Sequence, residues 1–265
     1  CCINMKKIVF SLLMLVPFGL VSCFSGASKS STEEIETQKM QQQVDSLYKK
    51  MSQAERVAQL YGIRPSEVME NGRLSLQKCR EKIPNGIGHV CQYACALDLG
   101  PNELRDFVRD FQNYLINETP SGVPAIFHEE AITGLAAKGA TVYPQQLGVA
   151  CSWNPELATV KTEQTAEVMR SVGATLALSP MVDLIRTAHW PRIEESYGED
   201  GYLSAAMGVA FVEGLQKNGL KDGVAACTKH FLGYGGGSSL TWKEIFEEVL
   251  MPHEAMIRLA FIKEL

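Results

Sequence analysis

The sequence has 265 residues, of which 46% are hydrophobic and 21% charged, and its formal net charge is −5. This length is enough for one large domain with a well-buried core, and the near-average composition excludes collagen-like, coiled-coil and wholly disordered chains. A mildly acidic chain lacks the basic surface that binding to nucleic acid requires, so we predict no nucleic-acid partner.

The first 23 residues have the charged, apolar and small-residue sections of a secretory signal. Two lysines follow Met5, and the apolar run from Ile8 to Val21 is too short to span a bilayer. The run ends in the tetrad Leu20-Val-Ser-Cys23, which resembles the lipobox of bacterial lipoproteins. We expect lipid on Cys23 and a place in the bacterial cell envelope, as a periplasmic or outer-membrane lipoprotein. The alternative is an ordinary signal peptide that contains a chance cysteine.

Residues 24–43 are rich in Ser, Glu, Lys and Gln and poor in large apolar side chains, which predicts a flexible tether. A lipid at its start would hold a folded domain at a membrane surface, so we expect membrane contact only through that anchor. We therefore divide the chain into upstream residues and signal at 1–23, a tether at 24–43 and one folded domain at 44–265.

Five cysteines remain in the predicted domain, and their odd number excludes a fully paired disulfide framework. They are Cys79, Cys91, Cys95, Cys151 and Cys227. His89 stands near two of them, but the spacing is not that of a zinc ribbon and no second pair follows. We predict buried thiols, no metal and no cofactor.

Helix-start signals recur along the predicted domain as capping boxes, capping residues or a proline at the first helical position. They stand at Ser52, Pro101, Asn154-Pro155 and Thr241, and a further helix is predicted from about Tyr202 to Asn218. Apolar residues follow Pro101 at helical spacing, and Gly173 and Gly219 are placed to end two of the helices. Pro252 divides the apolar pattern that follows Thr241.

Between the helices lie four short apolar runs, each bounded by Gly, Pro or polar residues, as buried parallel strands are. They are Gly86–Val90, Val123–Phe127, Ala174–Leu178 and Val224–Cys227. Repeated alternation of strand and helix predicts an α/β fold with a parallel sheet. The sheet is either open or closed into a barrel, and periodicity does not distinguish the two.

Polar side chains follow three of these apolar runs. Glu130 comes after the second run, Lys229-His230 after the fourth, and Asp183, Trp190 and Arg192 after the third. In a (β/α) barrel, the carboxyl ends of the strands form the active-site face. Such groups can bind a polyhydroxyl ligand because each hydroxyl both donates and accepts hydrogen bonds, and Trp190 would offer a flat apolar face to a sugar ring.

Four ordered stretches resemble glycoside hydrolase family 3, whose members include exo-acting β-glucosidases and β-xylosidases. They are GVPAIFHEEAITG (Gly122–Gly134), YPQQLGVACSWNPEL (Tyr143–Leu157), WPRIEESYGED (Trp190–Asp200) and KHFLGYG (Lys229–Gly235). The resemblance implies the (β/α)8 TIM-barrel-like N-terminal domain of that family. It also implies an exo-acting retaining β-glycosidase that removes terminal β-D-glucosyl or β-D-xylosyl residues from oligosaccharides or aryl glycosides, in the degradation of plant polysaccharides.

The resemblance further implies that Glu130, Arg192, Lys229 and His230 bind the non-reducing sugar in the −1 subsite. Glu130 would accept hydrogen bonds from sugar hydroxyls, while the two cationic side chains donate charge-assisted hydrogen bonds and His230 holds a hydroxyl near the reacting carbon. We interpret Asp183 as structural. A capped, solvated segment is the interpretation for Glu194, Glu195, Glu199 and Asp200.

The sequence departs from the family pattern at several positions. Thr133 stands where the family usually has His, Asn154 where it has Asp, and Pro191 where it has Gly.

The catalytic carboxyl groups are the larger departure. Retaining glycosidases need two of them about 5 Å apart. The family nucleophile is an Asp in a Ser-Asp-Trp-like motif well downstream of Lys229, and the sequence up to its last residue, Leu265, contains no such motif. We therefore expect both the nucleophile and the acid/base to lie beyond Leu265, so that this chain holds no catalytic residue. We also expect a barrel that is incomplete at its C-terminus and hydrolyses nothing by itself.

Two functions from other classes stay open at this point. One is a sugar-binding remnant without catalysis, which the missing nucleophile favours. The other is an aldolase in which Lys229 forms a Schiff base, although that reading leaves the other three motifs without a role. The glycine-rich residues 233–239 lack the Gly-Lys-Ser/Thr ending of a phosphate loop, so we predict a flexible subsite loop there.

Overall fold

The computed structural model describes residues 31–217, 220–231 and 234, in two units that divide after residue 47. In chain order the helices are α1 (Ser31–Lys50), α2 (Gln53–Ala58), α3 (Leu76–Lys82), α4 (Tyr93–Ala96), α5 (Pro101–Glu118), α6 (Gln146–Ala150), α7 (Pro155–Ser171) and α8 (Gly201–Gln216). The strands are β1 (Gly62–Ile63), β2 (Met69–Glu70), β3 (Arg73–Leu74), β4 (His89–Cys91), β5 (Ile126–Glu129), β6 (Leu176–Ala177) and β7 (Ala225–Ala226).

Helix α1 accounts for all that the structure describes of the first unit. Residues 31–43 are therefore helical, which differs from the flexible tether predicted for residues 24–43. The reason is local, because this stretch is built largely from Glu, Gln, Lys and Met, which favour helices, and it contains neither Gly nor Pro.

A parallel sheet lies at the centre of the second unit, with the strand order β1-β4-β5-β6-β7. His128 of β5 lies beside Leu176 of β6, which in turn lies beside Ala225 of β7. Helices α5, α7 and α8 connect successive strands from β4 to β7. This alternation confirms the predicted α/β fold and is that of a TIM-barrel-like domain.

Helix α5 supplies much of the apolar core. It begins at Pro101, as predicted, and buries one face at helical spacing: Leu104, Phe107, Val108, Phe111, Tyr114 and Leu115. The rings of Phe107 and Phe111 meet Phe127 of β5 at centroid distances of 6.4 and 5.6 Å. Edge-on packing of this kind fixes α5 across the strand that leads to Glu130.

Helices α7 and α8 are also confirmed, and they pack closely against each other. Asn154 caps α7 by accepting a hydrogen bond from the Glu156 amide at 3.0 Å. Gly214 of α8 lies so near α7 that an added Cβ would stand 2.4 Å from the Thr159 carbonyl oxygen. Only glycine permits this approach, which brings α8 into close contact with α7.

Strands β6 and β7 lie within the apolar runs predicted for them, whereas β4 and β5 begin three residues later than their runs. The run Val123–Phe127 becomes a strand at Ile126–Glu129, so His128 and Glu129 belong to the strand and are buried there. Strand β1 and the β2–β3 hairpin were not predicted from the sequence. Each of these strands is two residues long and contains no apolar run.

The C-terminal part of the sequence lies outside the described residues. This holds for the helix predicted after Thr241, for Pro252 within it, and for Leu265, beyond which we expect the catalytic nucleophile and the acid/base. The expected incompleteness of the barrel concerns the same part of the chain, so it stays a prediction.

The cysteines differ from the buried thiols predicted for them. All five are free thiols, but Cys95, Cys151 and Cys227 are exposed, and Cys91 is half-buried. Only Cys79 is buried, and desolvation raises the pKa of its thiol to about 11. In the part of the chain that the structure describes, no three His, Cys, Asp or Glu side chains are grouped as metal ligands would be. None of the described helices has the length and apolar character that crossing a membrane requires.

Candidate functional site

The predicted site residues meet at the carboxyl edge of the parallel sheet. Glu130 directly follows β5, and Asp183 lies in the segment after β6. Lys229 and His230 come after β7, where the Lys229 amide donates to the Pro180 carbonyl at 2.9 Å. Parallel strands end at one edge, so side chains distant in sequence become neighbours there.

Glu130 is held by donors from both sides. The Lys229 ammonium forms an ion pair with its Oε2 atom. The Gln92 side-chain amide, at the end of β4, donates to its Oε1 atom at 3.1 Å. The Lys229 side chain is 12% exposed and that of Glu130 is 41% exposed, so the carboxylate keeps access to solvent. Glu130 can therefore accept further hydrogen bonds from a ligand.

Arg192 forms a bidentate ion pair with Glu195, in which Nε lies 2.6 Å from Oε1 and Nη2 lies 2.5 Å from Oε2. Hydrogen bonds from the guanidinium lower the pKa of the Glu195 carboxyl below its usual value. The interpretation of Glu195 as a solvated residue is therefore wrong. For Asp200 the capping interpretation is confirmed, since its Oδ1 accepts from the Leu203 amide at 2.6 Å.

His230 is oriented by the buried carboxylate of Asp183. The backbone amide of His230 donates to Asp183 Oδ2 at 2.9 Å, and its ring Nδ1 lies 2.8 Å from the same oxygen. A proton on Nδ1 is donated to Asp183 Oδ2 and leaves Nε2, which is 3.3 Å from Arg192 Nη1, as an acceptor. Asp183 thus fixes the ring that faces Arg192, in agreement with a structural role.

The aromatic surface of the site differs from the sequence prediction. Trp190 is only 7% exposed, so its ring does not offer the open face expected of it. Tyr234 packs edge-on against Trp190 and His230, at centroid distances of 5.8 and 4.7 Å, and is half-exposed. Tyr234 is the accessible ring beside Arg192, whose guanidinium carbon lies 5.6 Å from the ring centroid.

A cavity of about 350 Å³ opens beside Glu130 and the Arg192–Glu195 pair. Its charged lining consists of Glu129, Glu130, Arg192 and Glu195, and the segment from Ala131 to Gly134 forms another wall. Cavities of roughly 300–1,000 Å³ hold small molecules. The size and the four charged side chains in the lining together suit a compact ligand with several hydroxyl groups.

Two charged side chains that sequence reasoning missed support this cavity. Glu129 is buried and accepts a hydrogen bond from the Ala94 amide at 2.7 Å, and desolvation raises the pKa of its carboxyl to about 7. Lys161 of α7 is buried beneath the cavity wall, and donates to the carbonyls of Ile132 at 2.5 Å and Pro144 at 2.9 Å. Desolvation lowers the pKa of Lys161 to about 8. The Glu-Glu pair in the sequence was the available signal for Glu129, whereas nothing in the local pattern marks Lys161.

The model of the Glycosyl hydrolase family 3 N terminal domain matches residues 34–257. A putative beta-xylosidase of Formosa agariphila is 33% identical over 270 residues, which cover 96% of this chain and 35% of that protein. The chain therefore spans about a third of this curated relative.

Solved structures give the same picture. A β-glucosidase of Erythrobacter marinus superposes with a TM-score of 0.70 at 32% identity, covering 78% of this chain and 29% of that one. A mutant β-glucosidase of Listeria innocua in complex with laminaribiose superposes with a TM-score of 0.66 at 28% identity. The match covers 82% of this chain and 31% of the β-glucosidase chain.

Proposed function

Because this chain belongs to glycoside hydrolase family 3, we propose that it forms the sugar-binding part of an exo-acting retaining β-glycosidase. Its substrate would be an oligosaccharide or an aryl glycoside with a terminal, non-reducing β-D-glucosyl or β-D-xylosyl unit, in the degradation of plant polysaccharides. β-Xylosidases and β-glucosidases among the relatives support this class of reaction. No cofactor enters the proposal.

The observation that carries the proposal is the two pairs of polar side chains at the carboxyl edge of the sheet, each of which has one member in the lining of the cavity. Glu130 with Lys229, and Arg192 with His230, present acceptors and donors side by side. Charge-assisted hydrogen bonds to neutral hydroxyls are the strong polar contacts available to a sugar. We assign to these four residues the recognition of the sugar in the −1 subsite.

The same contacts argue against catalysis by the carboxylates at the cavity. Glu130 is paired with Lys229, Glu195 with Arg192, and Glu129 is buried against the Ala94 amide. We infer that these contacts give each carboxylate a binding or structural role, which leaves the nucleophilic role to another part of the protein.

We propose that the nucleophile and the acid/base lie beyond Leu265, which leaves the 265 residues to bind sugar and to hydrolyse nothing by themselves. The commitment of the cavity carboxylates to neighbours supports this proposal, as does the sequence, which contains no Ser-Asp-Trp-like motif. The same observation favours the second candidate function, a sugar-binding protein without catalysis.

Glu130 bears on the choice between the two sugars. It is one methylene longer than the Asp expected from the glucosidase pattern, and so occupies space that a 6-hydroxymethyl group needs. We propose a preference for xylosyl units, which lack that group. The similarity to a putative beta-xylosidase supports this preference.

We also propose that the protein is a lipoprotein of the bacterial cell envelope, lipidated at Cys23, with the membrane contacted only through this lipid. The support is the Leu20–Cys23 tetrad in the sequence. Cys23 and the whole signal segment lie outside the described residues.

Calorimetric titration of the chain with methyl β-D-xyloside and methyl β-D-glucoside tests the proposal. Binding of the xyloside, weakened by Glu130→Ala, is the expected result. Parallel assays with 4-nitrophenyl β-xyloside should show no release of nitrophenol. Turnover that disappears on Glu195→Gln would show that the catalytic acids have been misplaced. If neither sugar binds, sugar recognition by these residues is refuted.

A further inference from the structure

Gln92 has a backbone conformation that is unusual for its residue type. Its φ and ψ angles are 49° and 43°, in the left-handed region that residues with a branched or long side chain rarely adopt. The backbone is held there by a hydrogen bond from the Gln92 amide to the His128 carbonyl at 2.9 Å. Residues kept in such conformations cluster at functional sites, so the position calls for a functional explanation.

The side chain of Gln92 provides that explanation. It lines the 350 Å³ cavity, and its Nε2 donates to Glu130 Oε1, while Lys229 occupies Oε2 from the opposite side. Each oxygen of a carboxylate accepts about two hydrogen bonds. One acceptor position therefore stays on each oxygen for hydroxyl groups of a ligand.

We propose that Gln92 is a specificity-determining positioning residue, whose amide fixes the plane of the Glu130 carboxylate so that its two oxygens meet two neighbouring sugar hydroxyls. This inference rests on the proposed function. Lys229 alone does not fix that plane, because a carboxylate held at one oxygen can still pivot about that contact through the torsions of its side chain. A second donor at the other oxygen prevents this movement. The two fixed oxygens then select a sugar by the relative direction of two of its hydroxyl groups.

An amide suits this position because it donates a hydrogen bond without carrying charge. The charged and titratable groups around it are Glu129 at the end of β5, Glu130 directly after it, Cys95 of α4, Lys229, and the Arg192–Glu195 pair. A carboxylate in place of the amide would stand beside Glu130 and repel it. The substitution Gln92→Glu therefore keeps the size and shape of the side chain but replaces its attraction to Glu130 by repulsion.

Binding of two epimers tests the specificity. Methyl β-D-xyloside and methyl α-L-arabinopyranoside differ only in the direction of the 4-hydroxyl. Gln92→Gly removes the amide and relieves the backbone conformation, so the variant is expected to fold. We expect it to bind the xyloside about tenfold more weakly, and to lose most of any preference between the epimers. An unchanged affinity and an unchanged preference would overturn the inference.

The pH dependence of stability supplies a readout that needs no sugar. In Gln92→Glu, the two adjacent carboxyl groups share a proton at low pH, and lose it as the pH rises. The variant should therefore lose stability relative to the parent protein between about pH 4 and pH 7, as measured by urea unfolding. Gln77→Glu is the matched control, since Gln77 makes the same type of contact with Glu81, at 3.0 Å, on the exposed surface of α3.

The two measurements separate the possible failures. If the parent chain binds neither sugar, the proposed function is refuted. The pH comparison then still tests whether Gln92 positions Glu130. If Gln92→Glu follows the pH profile of Gln77→Glu, Gln92 does not position Glu130, and the inference is wrong even where sugar binds.

Discussion

Replacing Lys229 by methionine removes an ammonium group and keeps most of the apolar length of the side chain. Glu130 then loses its charged partner but keeps the hydrogen bond from Gln92. Breaking a fully buried ion pair costs about 3–5 kcal/mol, and breaking an exposed one costs about 0–1 kcal/mol. Glu130 is 41% exposed, so water can replace part of what it loses. We expect the free energy of unfolding to fall by about 1–2 kcal/mol.

The loss in sugar binding should be larger than that in stability. A hydrogen bond from a charged donor contributes about 1.5–3 kcal/mol, which corresponds to a roughly tenfold to hundredfold increase in Kd. Titration calorimetry with methyl β-D-xyloside measures the change in Kd, and urea unfolding measures the change in stability.

Lys217→Met is the control for this substitution. Lys217 at the end of α8 pairs with Glu167 of α7 at 2.8 Å, and its side chain is 20% exposed, so it resembles Lys229 in pairing and burial. The two lysines differ in their partners, because Glu130, the partner of Lys229, lines the cavity and Glu167, the partner of Lys217, does not. If Lys229→Met and Lys217→Met bind the xyloside with Kd values within a factor of two, Lys229 has no part in sugar recognition.

Burial and the sequence support three further predictions. Burial raises the pKa of Glu129 to about 7, so the stability that its protonated form contributes is present below about pH 4.5 and is lost as the pH rises through 7. Urea unfolding should show a loss of up to about 3 kcal/mol over this range, and the loss should be absent in Glu129→Gln. Phe111→Ala should lower the free energy of unfolding by about 3–5 kcal/mol, because the ring is fully buried, and a loss below 1 kcal/mol would contradict the packing. Cys23→Ser should abolish labelling by a palmitate analogue in cells, and persistent label would refute the proposed anchor.

The helices could be predicted from the sequence because their signals are local. Pro101 and Asn154 mark the starts of α5 and α7 by chemistry that operates within one turn. Strand β5 was misplaced because His128 and Glu129 are polar residues within it, and an apolar run ends before them. Their burial depends on neighbouring strands, which a single run of sequence does not reveal.

The candidate site was predictable only in part, for a similar reason. Glu130 and Lys229 lie in motifs that the family resemblance identifies, and the structure brings them into contact. Gln92 has no such motif, and its role emerges only when β4 lies beside β5. The accessible face of Trp190 was predicted wrongly because Tyr234, from another segment, covers it.

The dispersal of the site over successive strands has a consequence for ligand discovery. Gln92, Glu130, Arg192 and Lys229 come from four separate loops, so an unfolded chain presents no binding surface for a sugar. Any sugar that binds must therefore stabilise the folded state, by roughly 2.7 kcal/mol at a hundred times its Kd. For a domain of this size, that corresponds to an upward shift in Tm of several degrees. A panel of monosaccharides and methyl glycosides can thus be ranked by thermal melting alone, without a chromogenic substrate and without turnover.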